Sequence, residues 1–175
     1  DERAADALEV TAQVAAETIA LADFLRALVD EIVQAENIPP GSVQVVIPEE
    51  LVVIFDRGHF NQILWNLVRN AWQHCQKKEA SVRIAARAGY MGDAVIFELA
   101  DDGPGIPAEL RGQIFEPFFT TRPGGTGLGL YIARELADAN GATLELLPKS
   151  PGAHFRMTLK RASAAASAPA AQPEA

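Results

Sequence analysis

Residues 124–130 read Gly-Gly-Thr-Gly-Leu-Gly-Leu and run directly into an apolar-periodic segment that stops at Asn140-Gly141. No other feature constrains the chain as much. The first turn of a helix has backbone N–H groups with no partner inside the helix. Glycines there let a ligand approach the backbone closely. Together these make a site for phosphate or another anion. The run is not a Walker loop, because no Gly-Lys-Ser/Thr follows. It is not a dinucleotide fingerprint either, because no strand directly precedes it. As a lone glycine-rich loop it is a weak signal.

Three further constellations precede it. In the helical segment that Asp56 opens as an N-cap, Gln62, Asn66, Asn70 and His74 are spaced by four and form one polar stripe. Phe60, Ile63, Leu64, Leu67, Val68 and Ala71 form the apolar side. Asparagine is a poor residue for a helix interior and is costly to bury unpartnered. Two of them one turn apart call for a partner outside the helix, and an amide oxygen suits Mg²⁺. A solvated polar face is the plainer reading of the stripe alone. Next, a strand carrying Val95, Phe97 and Leu99 delivers Asp101 into Asp102-Gly103-Pro104-Gly105-Ile106-Pro107. A carboxylate there can accept from an exocyclic amine, although an Asp-Gly turn alone would look the same. Last, Ile114-Phe115-Glu116-Pro117-Phe118-Phe119-Thr120-Thr121 holds three phenylalanines beside a loop. All three are expected to be buried, anchoring that loop to the core.

The rest of the chain organises around these stretches. Residues 1–20 are rich in alanine and charge and read as a helical lead-in or the end of an upstream helix. Leu21, Phe24, Leu25, Leu28, Val29 and Ile32 recur at helical spacing up to the stop at Asn37-Ile38-Pro39-Pro40-Gly41. Residues 43–47 and 51–55 alternate as strand, turn, strand, and further strands are expected at about 81–88, 93–100, 142–147 and 153–160. The long helix should end near Lys77-Lys78, a short helix should cover 108–114, and a last helix should run from Gly127 to Ala139. One folded domain thus spans 21–160. Residues 161–175, with eight alanines in fifteen, are expected to be disordered.

Composition narrows the function. The chain of 175 residues carries a net charge of −8, which argues against a nucleic-acid binder. Its single cysteine, Cys75, excludes a disulfide framework or a cysteine zinc site and suits a reducing compartment. No apolar run is long enough to span a membrane, and no signal peptide opens the sequence. Beginning at Asp1, the chain reads as a piece of a larger protein.

In order and spacing the four constellations resemble the N, G1, F and G2 boxes of the Bergerat-fold ATPases. More narrowly, they resemble the catalytic ATP-binding domain of bacterial sensor histidine kinases over about residues 21–160. Residues 115–136, with Glu-Pro-Phe-Phe-Thr-Thr and Gly-Thr-Gly-Leu-Gly-Leu, look most like the sensor kinases of type IV pilus regulation. The resemblance implies an α/β fold, a two-layer sandwich of a mixed five-stranded sheet on three helices. It implies ATP and Mg²⁺ as ligands, with Asn70 on the metal and Asn66 beside it. It implies Asp101 on the adenine amine, with Gly103 and Gly105 flanking the base. Gly125, Gly127 and Gly129 would approach the phosphates, and Ile106, Phe119, Arg122, Thr126 and Leu128 would complete the nucleotide contacts. Residues 120–126 would be the lid. Two departures stand out: the lid is short, and Gln73 occupies a position where many members carry a cation, leaving Arg122 or Arg69 to supply it.

Within this superfamily, self-contained ATPases and serine kinases carry a glutamate one turn before the metal asparagine, where this chain has Asn66. An amide is no general base, so the resemblance favours a histidine kinase over those branches and over a nucleotide-binding module without transferase activity. His59, His74 and His154 are the only histidines, and none lies in the N-terminal segment. The phosphoacceptor is therefore expected on a separate helical domain, which would in turn serve a response regulator. The fragment would be monomeric and make no contact with membrane or nucleic acid. Its parent would be a homodimer at the inner membrane, with this domain in the cytoplasm.

Overall fold

The computed structural model describes residues 13–148 and 150–163. In chain order the elements are β1 Ala16–Ala20, α1 Leu21–Ala35, β2 Val43–Val46, β3 Val52–Asp56 and α2 Arg57–His74, then β4 Val82–Ala88, β5 Ala94–Asp101, α3 Gly129–Ala139, β6 Thr143–Leu146 and β7 His154–Lys160. Five strands form a mixed sheet in the order β2-β4-β5-β7-β6, parallel only between β2 and β4. A parallel pair needs a long crossover, and here β3 and α2 provide it.

Alternation places one sheet face under the helices. Along β5, Val95, Phe97, Leu99 and Asp101 are buried and the intervening residues half-buried. Phe97 stands between Ala86 and Met157, and Leu99 between Ile84 and Phe155. Over this face lie Leu25, Leu28 and Ile32 of α1, Ile63, Leu64 and Leu67 of α2, and Ala133 and Leu136 of α3. The Phe60 ring meets Phe24, Phe55 and Phe97 edge-on at 5.2, 5.1 and 5.9 Å. Each such pair adds about 0.5–1.5 kcal/mol beyond simple burial. The two-layer sandwich of a mixed five-stranded sheet and three helices is therefore as expected.

Several local expectations are corrected. Ala16–Ala20 is a strand, not a helix, and pairs antiparallel with β3. Backbone pairing and the buried Ile19 outweigh the helix preference of alanine. Strands β2 and β3 form as expected, but they belong to different sheets and do not pair with each other. Residues 108–115 form successive turns, with Leu110, Gln113 and Glu116 N–H donating to Pro107, Leu110 and Gln113 carbonyls, and no helix. Helix α2 stops at His74 and α3 begins at Gly129, both shorter than expected. Arg161 bridges to Val53, and the Ala162 N–H donates to the Val52 carbonyl, so order extends past 160. The remainder of the readings for the two ends, at 1–12 and 164–175, lies outside the described residues.

Candidate functional site

Asp56 ends β3 and caps α2, its Oδ1 accepting the His59 N–H at 3.0 Å. The helix buries its apolar side and leaves Asn66 and Asn70 half-buried, with Gln62 and His74 exposed. The Asn66 Nδ2 is buried and has no hydrogen-bond partner among the described residues. Helix α3 begins directly opposite: a Cβ on Gly129 would lie 3.6 Å from Asn66 Oδ1. Glycine thus allows the start of α3 to sit close to the asparagine.

Asp101 lies at the end of β5, and its two carboxylate oxygens differ sharply. Oδ1 accepts N–H groups from Gly103 at 2.9 Å and Ala153 at 3.3 Å. Oδ2 is buried and has no hydrogen-bond partner among the described residues. Burial raises the pKa of this carboxyl, opposed by the two backbone N–H groups. An unpartnered buried acceptor costs about 1–3 kcal/mol, which a ligand donor would recover.

The backbone around Asp101 explains two glycines. A Cβ on Gly103 would lie 2.3 Å from the His74 carbonyl oxygen, so this glycine packs the loop onto the end of α2 and does not face the cavity. A Cβ on Gly152 would lie 1.9 Å from the Asp101 carbonyl oxygen. Gly152 lies between the last two expected strands, and its constraint is not legible in the sequence. Asp102 was likewise missed as a brace. Its Oδ1 accepts the Gln76 N–H at 2.8 Å, its Oδ2 accepts the Ser81 hydroxyl at 2.9 Å, and its carbonyl accepts from Gln76 Nε2 at 2.9 Å. The Gln76 N–H is the main cause of its lowered pKa.

Between the turns and α3 lies the segment 120–126, expected to be the lid. Ile114 is buried, and Phe115 meets Phe155 edge-on at 6.1 Å while Arg134 stacks over it at 4.8 Å. Phe119 is half-buried. Phe118 is not, contrary to expectation: it is 62% exposed at φ +66°. Its N–H donates to the Gly127 carbonyl at 2.9 Å. Gly127 has φ +70°, and a Cβ there would lie 2.4 Å from the Phe118 carbonyl carbon, so two constraints require glycine. A Cβ on Gly125 would meet Thr120 Oγ1 at 2.7 Å. The first intrahelical bond of α3 runs from Ile132 N–H to the Leu128 carbonyl.

These pieces surround one cavity of about 640 Å³. Of the residues singled out from the sequence, Asn66, Asn70, Asp101, Gly105, Ile106 and Phe119 line it. So do Arg122, Gly125, Thr126, Gly127 and Gly129, in the loop and at the start of α3. Gly103 and Leu128 do not. Arg69, Gln73, His74 and Ala153 line it as well. Among the described residues no group of three histidines, cysteines or carboxylates could cage a metal. A hard cation here would depend on the Asn70 amide and on oxygens of a bound ligand. That donor set fits Mg²⁺, which keeps waters and takes few protein ligands.

The arrangement combines a buried acceptor, amide side chains and open helix-start N–H groups in one cavity. Comparison with known proteins gives it a family. The family profile described as histidine kinase-, DNA gyrase B-, and HSP90-like ATPase matches residues 55–163. The chain belongs to this ATPase family. It is 39% identical over 106 residues to the sensor protein kinase PilS of Pseudomonas aeruginosa, covering 59% of this chain and 20% of that protein. To the nitrogen regulation protein NtrY of Azorhizobium caulinodans it is 35% identical over 120 residues, covering 65% and 16%. The chain thus spans about a fifth of the length of these relatives. The catalytic domain of histidine kinase ThkA superposes with a TM-score of 0.66 at 30% identity, over 83% of this chain and 95% of that one. Full-length ShkA in complex with AMPPNP superposes with a TM-score of 0.68 at 26% identity, over 87% and 33%. This member of the family has the fold of histidine kinase catalytic domains.

Proposed function

We propose that this ATPase-family domain binds ATP with Mg²⁺ and donates the γ-phosphate to a histidine on a separate acceptor-helix domain of a two-component sensor kinase. The observation that carries this reading is the pair of unpartnered buried polar atoms, Asp101 Oδ2 and Asn66 Nδ2. One is an acceptor suited to the adenine amine and the other a donor suited to an anionic oxygen. Both residues line the one cavity. Asn70 would hold Mg²⁺, which when bound offsets phosphate charge. The open N–H groups at the start of α3 would receive phosphate oxygens, and lid residues 120–126 would cover them.

Asn66 has no useful basicity, so the domain is expected to hydrolyse ATP slowly on its own. His59 is buried and 3.0 Å from Asn140 Nδ2, and His154 lies on β7 beside Glu98 at 3.8 Å, neither of them lining the cavity. His74 lines it at the last residue of α2, near Asp101 at the base end of the proposed site. The acceptor would therefore come from elsewhere in the parent protein, which would be a homodimer feeding a response regulator. The similarity to PilS supports a role in type IV pilus regulation. No helix among the described residues is long and apolar enough to cross a membrane. A cytoplasmic setting beneath a membrane-anchored sensor is the reading we adopt.

Titration calorimetry tests the site. Replacing a charged acceptor by an amide in Asp101→Asn should lower ATP affinity roughly 10- to 100-fold with unchanged circular dichroism. Unaltered affinity in the folded variant would sink the assignment. Mixing the chain with a separately made acceptor-helix domain of its parent tests the transfer. Phosphohistidine should appear slowly on the acceptor and faster once the two are tethered. Stable label on this chain's own histidines, or rapid turnover without acceptor, would show another branch of the family.

A further inference from the structure

We propose that Glu36 is a positioning residue for Arg69, and that Arg69 is the phosphate-facing cation of the cavity. The inference rests on the ATP reading above and answers the question raised by the neutral Gln73. Two arginines line the cavity, Arg69 on α2 and Arg122 in the lid. Arg69 is three residues after Asn66, one helical turn on along α2, and lines the same cavity as Asn66 and Asn70. Its Nε is held by Glu36 Oε1 at 3.0 Å. A guanidinium has five N–H donors, so this single contact leaves both Nη groups for the cavity that Arg69 lines.

Glu36 is well placed to keep that grip. It is the C-cap of α1, where a negative charge is disfavoured by the helix dipole, and the last turn of α1 has no basic residue. Arg69 supplies the missing cation. Arg122 has no comparable support. Like Arg69 it is exposed, but Thr120 Oγ1 bonds only its backbone N–H and carbonyl, and its guanidinium makes no ion pair among the described residues. An arginine already held loses less side-chain freedom when a ligand arrives.

Titration calorimetry with ATP and adenosine on the parent chain, Arg69→Ala, Glu36→Gln, Glu36→Asp, the double variant and Arg122→Ala tests this. Arg69→Ala should weaken ATP about five- to tenfold, as expected for a partly screened contact to a charged group. Glu36→Gln should weaken it roughly two- to fivefold, and Glu36→Asp should recover part of the loss. The double variant should bind no worse than Arg69→Ala alone, and Arg122→Ala should lose less than Arg69→Ala. Adenosine affinity should be unmoved throughout, which a general structural role for Glu36 would not predict. A gain in ATP affinity in Glu36→Gln, equal losses for adenosine, or losses that add in the double variant would overturn the inference. Failure of the parent to bind either ligand would overturn the nucleotide reading and this inference with it. ATP binding that Glu36→Gln leaves unchanged would overturn this inference alone.

Discussion

Asp101 and Gly125 line the same cavity, and the chain holds them by different means. Around Asp101 the backbone is closed. Its Oδ1 takes two N–H groups, Asp102 ties the next residue to Gln76 and Ser81, and Gly103 and Gly152 press against the carbonyls of His74 and Asp101. Around Gly125 the chain is open. Residues 120–126 are exposed, and the few bonds holding them are local, such as Thr120 Oγ1 to the Arg122 N–H at 3.1 Å. The difference matches what each part would have to do. A base can be read by a fixed acceptor, whereas a phosphate chain that must be admitted and released needs a cover that moves.

Substitution should separate the two regions. The largest effect is expected from Gly152→Ala, whose Cβ would collide with the Asp101 carbonyl where β5 pairs with the segment before β7. Overpacking of this kind costs roughly 1–3 kcal/mol, a fall of about 2–12 °C in Tm for a domain of this size. Adenosine and ATP binding should be lost together. A variant with unchanged melting and unchanged adenosine affinity would show that the closed region tolerates movement.

Gly127→Ala should act on the open region alone. It adds a left-handed backbone penalty of about 1–2 kcal/mol to a clash with Phe118. Both fall where residues 120–126 join α3. ATP affinity should drop several-fold more than adenosine affinity, as measured by calorimetry. Equal losses for the two ligands would mean that the regions are not separable.

Asn70→Ala should sharpen the same contrast through the metal. The increase in ATP affinity on adding Mg²⁺ should disappear, while metal-free ADP binding should change by less than about twofold because the acceptor at Asp101 is untouched. If Mg²⁺ still strengthens ATP binding, the ligand is another group.

How much of this was legible in the sequence depends on how local the cause is. Strand β5 and the apolar side of α2 could be read because burial of one face imposes periods that the side chains display. Asn66, Asn70 and Asp101 could be found because amides in a helix and a carboxylate before two glycines are locally uneconomical choices. Ala16–Ala20 was misread because its strand state comes from pairing with β3, 32 to 40 residues away, not from its own composition. Gly152 and Asp102 were missed for the same reason. Their constraints are contacts to residues 51 and 26 positions away along the chain, and neither leaves a local pattern. Phe118 shows the opposite failure: the clustered aromatics were taken as buried, but Phe118 is exposed and Phe115 and Phe119 are only half-buried.

The smallest effect is expected from Asp102→Asn, and its sign follows from the lowered pKa. The folded carboxyl titrates below its ordinary value of 3.8, chiefly because it accepts the Gln76 N–H. A depressed acid contributes stability that is fully present above the unfolded pKa and is lost as pH falls through the folded value. The parent should therefore melt above Asp102→Asn at pH 6, and the gap should close as the pH is lowered through and below about 3.8. An asparagine keeps an acceptor for Gln76 or Ser81 but not the charge, so the closed region should loosen without opening and adenosine should bind almost as before. Differential scanning calorimetry from pH 6 to pH 3 would show the closing gap. A gap that does not change with pH would mean that the brace works through shape and not through the carboxylate.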